Sequence, residues 1–269
     1  MSLAAFVSRD EPEIAAALAH FAARDVPQRS IYRWSPVFPA TVVGQPVVIK
    51  RARQSRPEAI ADWTRDLAAE GLRCVVPLPL DVENPVRLAS GSAWVAYPWI
   101  HGRPYRPDHD DIVVAGDFLG RIHARPLRGD GPPAFKWPQY QPDEVATDLS
   151  SYLAVAKEHL PALDRVTARL HELGTRFEAE LLPAIRDADL PVRDVTSDWK
   201  ASNLIYTSSG AVLIDPDNAE RGPRLLDLAS TALQFHSETT THRAFATDEW
   251  EWFRDGYLDH VELTATERT

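Results

Sequence analysis

The sequence predicts an α+β fold, and three observations carry that prediction. The first hundred residues are rich in β-branched and aromatic side chains cut by Pro and Gly. The remainder has mainly helical periodicity. Inside that helical part lies one hairpin signal, Asn203-Leu-Ile-Tyr206, a Ser-Ser-Gly turn, then Ala211-Val-Leu-Ile-Asp215.

In order along the chain, Ile14, Ala17, Leu18 and Phe21 recur at helical spacing after Pro12, and the pattern stops before Val26-Pro27. Ser30 to Arg51 is punctuated by Pro36, Pro39, Gly44 and Pro46, which predicts two or three short antiparallel strands closing on Val47-Val-Ile-Lys50. Pro57 suits the first turn of a helix that carries Ile60, Trp63, Thr64 and Leu67 on one face and stops at Gly71. Val75 to Leu80 is short, apolar and broken by Pro, and Ala93 to Ile100 is a strand running into His101-Gly-Arg-Pro104. Beyond it, Ile112 to Ala124 and Pro142 to Leu182 are helical, interrupted by the Pro126 to Pro142 connector and by Pro161. Helical pattern resumes at Leu225 and again around Trp250, Phe253 and Tyr257. The change of texture near residue 100 predicts two lobes, 1–100 and 101–269, joined by a hinge at 97–102. No repeat or low-complexity tract interrupts this organisation.

With 269 residues, 44% hydrophobic and 25% charged, the chain can bury a sizeable core. Its 29 basic and 39 acidic residues leave a net charge of −10, which argues against a nucleic-acid groove and favours cationic small molecules. The single cysteine, Cys74, admits no internal disulfide, and no Cys/His cluster has structural-zinc spacing. The N-terminus lacks the basic flank and apolar run of a signal peptide, and no apolar stretch approaches the roughly 18 residues of a membrane span. A cytoplasmic protein with no membrane or nucleic-acid partner is the expectation.

The informative stretch is Thr196-Ser-Asp198-Trp-Lys200-Ala-Ser-Asn203-Leu-Ile-Tyr, followed by Val212-Leu-Ile-Asp215-Pro-Asp217. Phosphoryl transfer needs a carboxylate to take the acceptor's hydroxyl proton and hard oxygen ligands for Mg²⁺ on the nucleotide phosphates. Asp198, Asn203 five residues later, and Asp215 beyond a hairpin supply those parts. An Asp-x-x-x-x-Asn pair alone is expected about 0.26 times by chance here. The apolar triplet after Asn203 and the apolar-apolar-Asp ending at Asp215 make coincidence far rarer. Turn-capping by the same residues is the plain structural alternative. Gly-x-Ser-x-Gly, His-Glu-x-x-His and Walker-type Gly-Lys-Ser/Thr motifs are all missing, so hydrolase, zincin and P-loop chemistries lack their parts.

At this point the chain resembles the aminoglycoside phosphotransferase and choline kinase-like group, small-molecule relatives of protein kinases. The matching features occur in order: Val47-Val-Ile-Lys50, the helix after it, Val76-Pro77, Ala96 to Gly102, Leu119-Gly-Arg-Ile-His123, the Asp198 to Asn203 loop, Ile214-Asp215, and Pro223 to Ala229 with Asp227. The resemblance spans roughly residues 30 to 260. It implies a two-lobed protein-kinase-like fold, with a small antiparallel-sheet N-lobe, a mainly helical C-lobe and ATP between them, GTP remaining open as a substitute.

By the same resemblance, Asp198 is the catalytic base, Asn203 and Asp215 are magnesium ligands, and Lys200 reaches the γ-phosphate. Lys50 pairs with the α and β phosphates and takes an acidic partner from the following helix, Asp62 by spacing, with Asp66 and Glu58 as alternatives. The main-chain groups of Pro98 and Ile100 face adenine. Asp217 orients the metal site, faces substrate or caps a turn, and Asp227 holds the catalytic loop through backbone hydrogen bonds. Two departures stand out: Thr196-Ser197 replaces the family's His-Gly before the catalytic Asp, and no Gly-rich phosphate cover occurs between Ser30 and Gly44.

The expected activity is O-phosphorylation of a small, cationic hydroxyl acceptor by ATP. The acids Asp143, Glu144, Asp148, Glu238, Asp248, Glu249 and Glu251, in the part that would wall the acceptor site, favour a polycation. An aminoglycoside or a basic peptide antibiotic of the viomycin and capreomycin kind fits, with antibiotic resistance as the consequence. The rivals are a metabolic kinase of choline-like or amino-sugar alcohols and a non-catalytic nucleotide-binding relative.

Overall fold

The computed structural model describes residues 6–52, 56–129, 131–137, 144–157, 163–240 and 242–268. Two compact units divide the chain: Met1–Ala134 with Pro191–Leu263, and Phe135–Leu190 with Thr264–Thr269.

The first unit opens with helix α1 (Pro12–His20), whose Ile14, Ala17 and Leu18 are buried. Pro12 tolerates the first turn because its missing N–H would have no helical partner there. Strands β1 (Val37–Val42) and β2 (Gln45–Ala52) form an antiparallel hairpin. Helix α2 (Pro57–Ala69) buries Ile60, Trp63, Thr64 and Leu67 and ends before Gly71. Gly71 sits at φ +79, a left-handed conformation that closes the helix without a side-chain clash. With β3 (Val86–Arg87) and β4 (Ala93–Pro98) the strands form an antiparallel sheet in the order β1-β2-β4-β3. One apolar cluster joins α1 to this sheet through Phe21, Phe38, Val47, Ile49 and Trp94.

After the two-residue strand β5 (Arg103–Pro104) comes α3 (His109–Ala124). Its N-cap, Asp108, accepts a hydrogen bond from the Asp111 amide at 3.0 Å. The second unit then holds α4 (Glu144–Lys157), α5 (Asp164–Arg176), a π-helical turn at Phe177–Leu181 and α6 (Leu182–Asp187).

The chain re-enters the first unit with β6 (Val192–Val195) and a 3₁₀ turn at Ala201–Asn203. The expected hairpin follows as β7 (Leu204–Thr207) and β8 (Gly210–Leu213). Strand β9 (Glu220–Pro223) pairs antiparallel with β6, a long-range ladder that local patterning does not reveal. Helices α7 (Arg224–Gln234) and α8 (Thr247–Leu258) complete this unit, and α9 (Ala265–Arg268) belongs to the other.

A second core gathers Ile60, Trp63, Leu119, Leu204, Leu213, Phe253 and Tyr257. Helices α3 and α8 approach so closely that a Cβ at Gly120 would stand 2.6 Å from the Tyr257 carbonyl oxygen. Residues on both sides of position 100 belong to the first unit. A parallel bridge, with Val75 N–H donating to Leu213 C=O and Leu213 N–H to Arg73 C=O, both 2.9 Å, ties the strand-rich part to the later hairpin. Among the described residues, no helix is long and apolar enough to cross a membrane.

Candidate active site

Strand β2 alternates its side chains and runs two residues past the end expected at Lys50, and this brings Lys50 inward to 7% exposure where the sequence alone allows a solvated strand terminus. Its Nζ donates to Asp215 Oδ1 at 2.6 Å and lies 3.1 Å from Asp217 Oδ2. Tyr97 of β4 donates its hydroxyl to the other Asp217 oxygen at 3.1 Å. Burial by itself lowers the Lys50 pKa, but the adjacent Asp217 and Asp215 carboxylates outweigh it, and the net shift is upward. Burial likewise raises Asp217, against the pull of Lys50.

This pairing corrects the expected partner of Lys50. Asp62, 74% exposed at its side chain, pairs with Arg65, and Glu58 faces Arg87 at 3.7 Å. Glu58, Asp62 and Asp66 lie four residues apart, so they form one row on the exposed side of α2, opposite the face that packs into the core.

The loop between β6 and β7 carries Asp198. Its Oδ2 accepts hydrogen bonds from Asn218 at 3.0 Å and Asn203 at 3.3 Å, and Asn203 also donates to the Asp198 main-chain carbonyl at 2.9 Å. Lys200 Nζ stands 3.2 Å from Asp198 Oδ1 and donates to Glu238 Oε1 at 2.7 Å. Glu238 also accepts from the Tyr32 hydroxyl and from Ser202 Oγ, each at 3.1 Å. Burial would raise the Glu238 pKa, but these donors, chiefly Lys200, hold it below its ordinary value.

Asp227 braces the loop from α7, accepting from the Thr196 amide at 2.8 Å and from its hydroxyl at 3.0 Å. His123 of α3 reaches the same carboxylate at 3.2 Å and the Tyr257 hydroxyl at 3.0 Å. Thr196 thus bonds directly to Asp227 at the position where the resembled family has histidine. Ser197, where that family has glycine, takes the left-handed φ of +53 and donates to Glu220 Oε2 at 3.2 Å. Trp199 is buried with its ring edge-on to Phe118 at 5.3 Å, which fixes the loop between Asp198 and Lys200.

Lys50, Pro98, Ile100, Asp198, Lys200, Asn203 and Asp215 all line one cavity of about 710 Å³, and Asp62 does not. Val48, Tyr97 and Ile214 give this cavity an apolar wall beside the charged groups. Sequence reasoning missed Asn218 and Tyr97 as site residues. Asn218 carried a usable signal, being one of only three asparagines and standing three residues after Asp215. Of the acids expected to wall an acceptor site, Glu238 lines this cavity. Glu249 is instead buried in an ion pair with Arg243, and Asp248 accepts from the Glu249 amide at 3.0 Å. Glu144 and Asp148 belong to α4 of the other unit, and Asp143 lies outside the described residues.

The donor set fits a magnesium ion completed by phosphate oxygens, because Mg²⁺ commonly takes only one or two carboxylates from the protein. Asn203 and Asp215 supply an amide oxygen and a carboxylate, the latter on a side chain 34% exposed. Among the described residues, no group of three His, Cys, Asp or Glu is disposed to hold a metal by itself.

The model of a phosphotransferase enzyme family matches residues 33–268. The fold is similar to spectinomycin phosphotransferase APH(9)-Ia, solved with ADP and spectinomycin, at 15% identity over 94% of this chain and 81% of that one, with a TM-score of 0.65. It is similar to amicoumacin kinase hAmiN, solved with AMP-PNP and Ca²⁺, at 17% identity over 95% and 80%, with a TM-score of 0.66. Choline kinase LicA from Streptococcus pneumoniae matches at 15% identity over 96% and 84%, with a TM-score of 0.51. These likenesses establish a protein-kinase-like fold. No curated protein sequence matches the chain.

Proposed function

The chain belongs to the phosphotransferase enzyme family, and from that premise we propose that it transfers the γ-phosphoryl group of ATP to a hydroxyl of a small cationic molecule. The observation that carries this reading is the convergence of Lys50, Asp198, Asn203 and Asp215 on one cavity beside the Pro98–Ile100 segment. Pro98 and Ile100 offer main-chain groups to the adenine edge. Lys50 neutralises the α and β phosphates, Asn203 and Asp215 hold magnesium, and Lys200 reaches toward the γ-phosphate. Magnesium, when bound, supplies charge neutralisation on the phosphate oxygens.

Asp198 orients the acceptor hydroxyl and takes its proton. A bond forms from the acceptor oxygen to the γ-phosphorus while the bond from that phosphorus to the bridging oxygen breaks, and ADP leaves with the electron pair. Asn203 and Asn218 keep the Asp198 carboxylate aimed, which converts binding into a productive geometry. The lone cysteine is compatible with a cytoplasmic, ATP-rich setting.

Glu238 favours an acceptor that carries an ammonium group. A single carboxylate suits a small amino alcohol as well as a polycationic antibiotic, so metabolic amino-alcohol phosphorylation stands as the second reading beside antibiotic resistance. An ATP-consumption screen over aminoglycosides, viomycin-type peptides, choline and aminopropanol, with Asp198→Asn as control, tests both. Acceptor-dependent turnover that vanishes in the control is the expected result; turnover with none of them, or equal turnover in the control, removes the catalytic reading.

A further inference from the structure

Lys200, the residue read as reaching the γ-phosphate, donates to Glu238 Oε1 at 2.7 Å and stands 3.2 Å from Asp198 Oδ1. Glu238 lies in the cavity wall with a side chain one-third exposed (33%), while Lys200 is more enclosed, at 13%. Tyr32 and Ser202 complete the carboxylate's coordination, Tyr32 coming from the segment where a Gly-rich cover is missing and Ser202 from the catalytic loop. The geometry around Glu238 Oε1 is therefore already that of an ammonium site: one N⁺–H donor, one phenol, and a carboxylate turned to the cavity.

We propose that Glu238 is a specificity residue occupied in turn by two ammonium groups, that of Lys200 before nucleotide binds and that of the acceptor afterwards. The γ-phosphate, carrying more negative charge than one carboxylate, draws Lys200 away. Glu238 then keeps Tyr32 and Ser202 but loses its cation, and a part-buried carboxylate without a counter-charge favours an incoming amine. Nucleotide therefore precedes acceptor, and an acceptor lacking the amine binds poorly. This inference rests on the phosphotransfer reading for the role of Lys200.

Two measurements test it on the full chain. First, AMP-PNP with magnesium is titrated into the wild type, Glu238→Gln, Lys200→Met and the double variant, with circular dichroism as the folding control. Releasing Lys200 is expected to tighten AMP-PNP binding about two- to fivefold in Glu238→Gln, the scale of a partly exposed ion pair. Glu238→Gln is expected to have no effect in the Lys200→Met background. Unchanged or weaker binding by a folded Glu238→Gln overturns the proposal alone, whereas a wild type that does not bind AMP-PNP removes the phosphotransfer reading as well. Second, ethylammonium chloride is compared with sodium chloride as a thermal stabiliser of Lys200→Ala. A rise in melting temperature specific to ethylammonium, and lost in Lys200→Ala/Glu238→Gln, supports the ammonium site; equal responses overturn it.

Discussion

Lys50 and Asp217 are both buried and stand 3.1 Å apart, although one lies in an N-terminal strand and the other follows the β7–β8 hairpin. The pair relieves α2 of the task of holding the lysine. In Asp217→Asn, Lys50 retains Asp215 but loses a charge-balancing partner inside the protein. Its position is expected to loosen, and KM for ATP to rise about tenfold, with a stability loss of about 1–3 kcal/mol. Asp62→Asn, on the solvent face of α2, is expected to leave KM for ATP unchanged. Steady-state kinetics with ATP as varied substrate read both, and a large effect of Asp62→Asn would restore the helix acid as the partner of Lys50.

Asn218 touches the carboxylate of Asp198, the proposed base, without being in a position that sequence motifs assign. Asn218→Ala removes the 3.0 Å donor to Asp198 Oδ2. Because the lost contact orients the base rather than the nucleotide, kcat is expected to fall about tenfold while KM for ATP stays within about twofold. A change confined to KM for ATP contradicts this assignment.

Ser197 combines a left-handed backbone with a hydrogen bond to Glu220. Ser197→Ala loses the bond and retains the strain, for an expected cost of about 1 kcal/mol. Ser197→Gly also loses the bond but gains about 1–2 kcal/mol from relaxed sterics, offset in part by greater freedom of the unfolded chain. Chemical denaturation is therefore expected to rank Gly above Ala in stability, and the reverse order would show that the loop is not strained at this position.

Gly120 lets α3 and α8 approach. A methyl group 2.6 Å from the Tyr257 carbonyl oxygen must push the helices apart, and it does so next to the His123–Tyr257 hydrogen bond that supports Asp227. Gly120→Ala is expected to cost about 1–3 kcal/mol despite alanine's better helix propensity. Unfolding by urea measures the loss.

His236 is fully buried, with Nε2 2.8 Å from the Tyr105 hydroxyl and Nδ1 without a hydrogen-bond partner. Burial lowers its pKa below the ordinary value of 6.5, with Glu249 opposing the shift. Between the two values the unfolded chain binds the proton and the folded chain does not. Stability is therefore full above pH 6.5 and declines as the pH falls from there toward the depressed folded value. Melting temperatures across this range are expected to fall less steeply for His236→Phe than for the wild type.

Sequence by itself determined the local elements and the short segments that carry the candidate site residues. The apolar periodicities of α1, α2, α3 and α8, the β7–β8 hairpin and the Asp198 to Asn203 spacing all express contacts between residues close along the chain. Only the tertiary structure decided which distant groups meet. Lys50 and its partner Asp215 are 165 positions apart, and the β6–β9 ladder joins strands on either side of the hairpin. It also chose Asp217 over the acids of α2, put Asn218 on Asp198, and brought Glu238 to the cavity wall. The physical reason is range. Helix and hairpin patterns follow from backbone geometry over a few residues, whereas an ion pair between remote segments depends on how whole elements pack, and no local spacing records that.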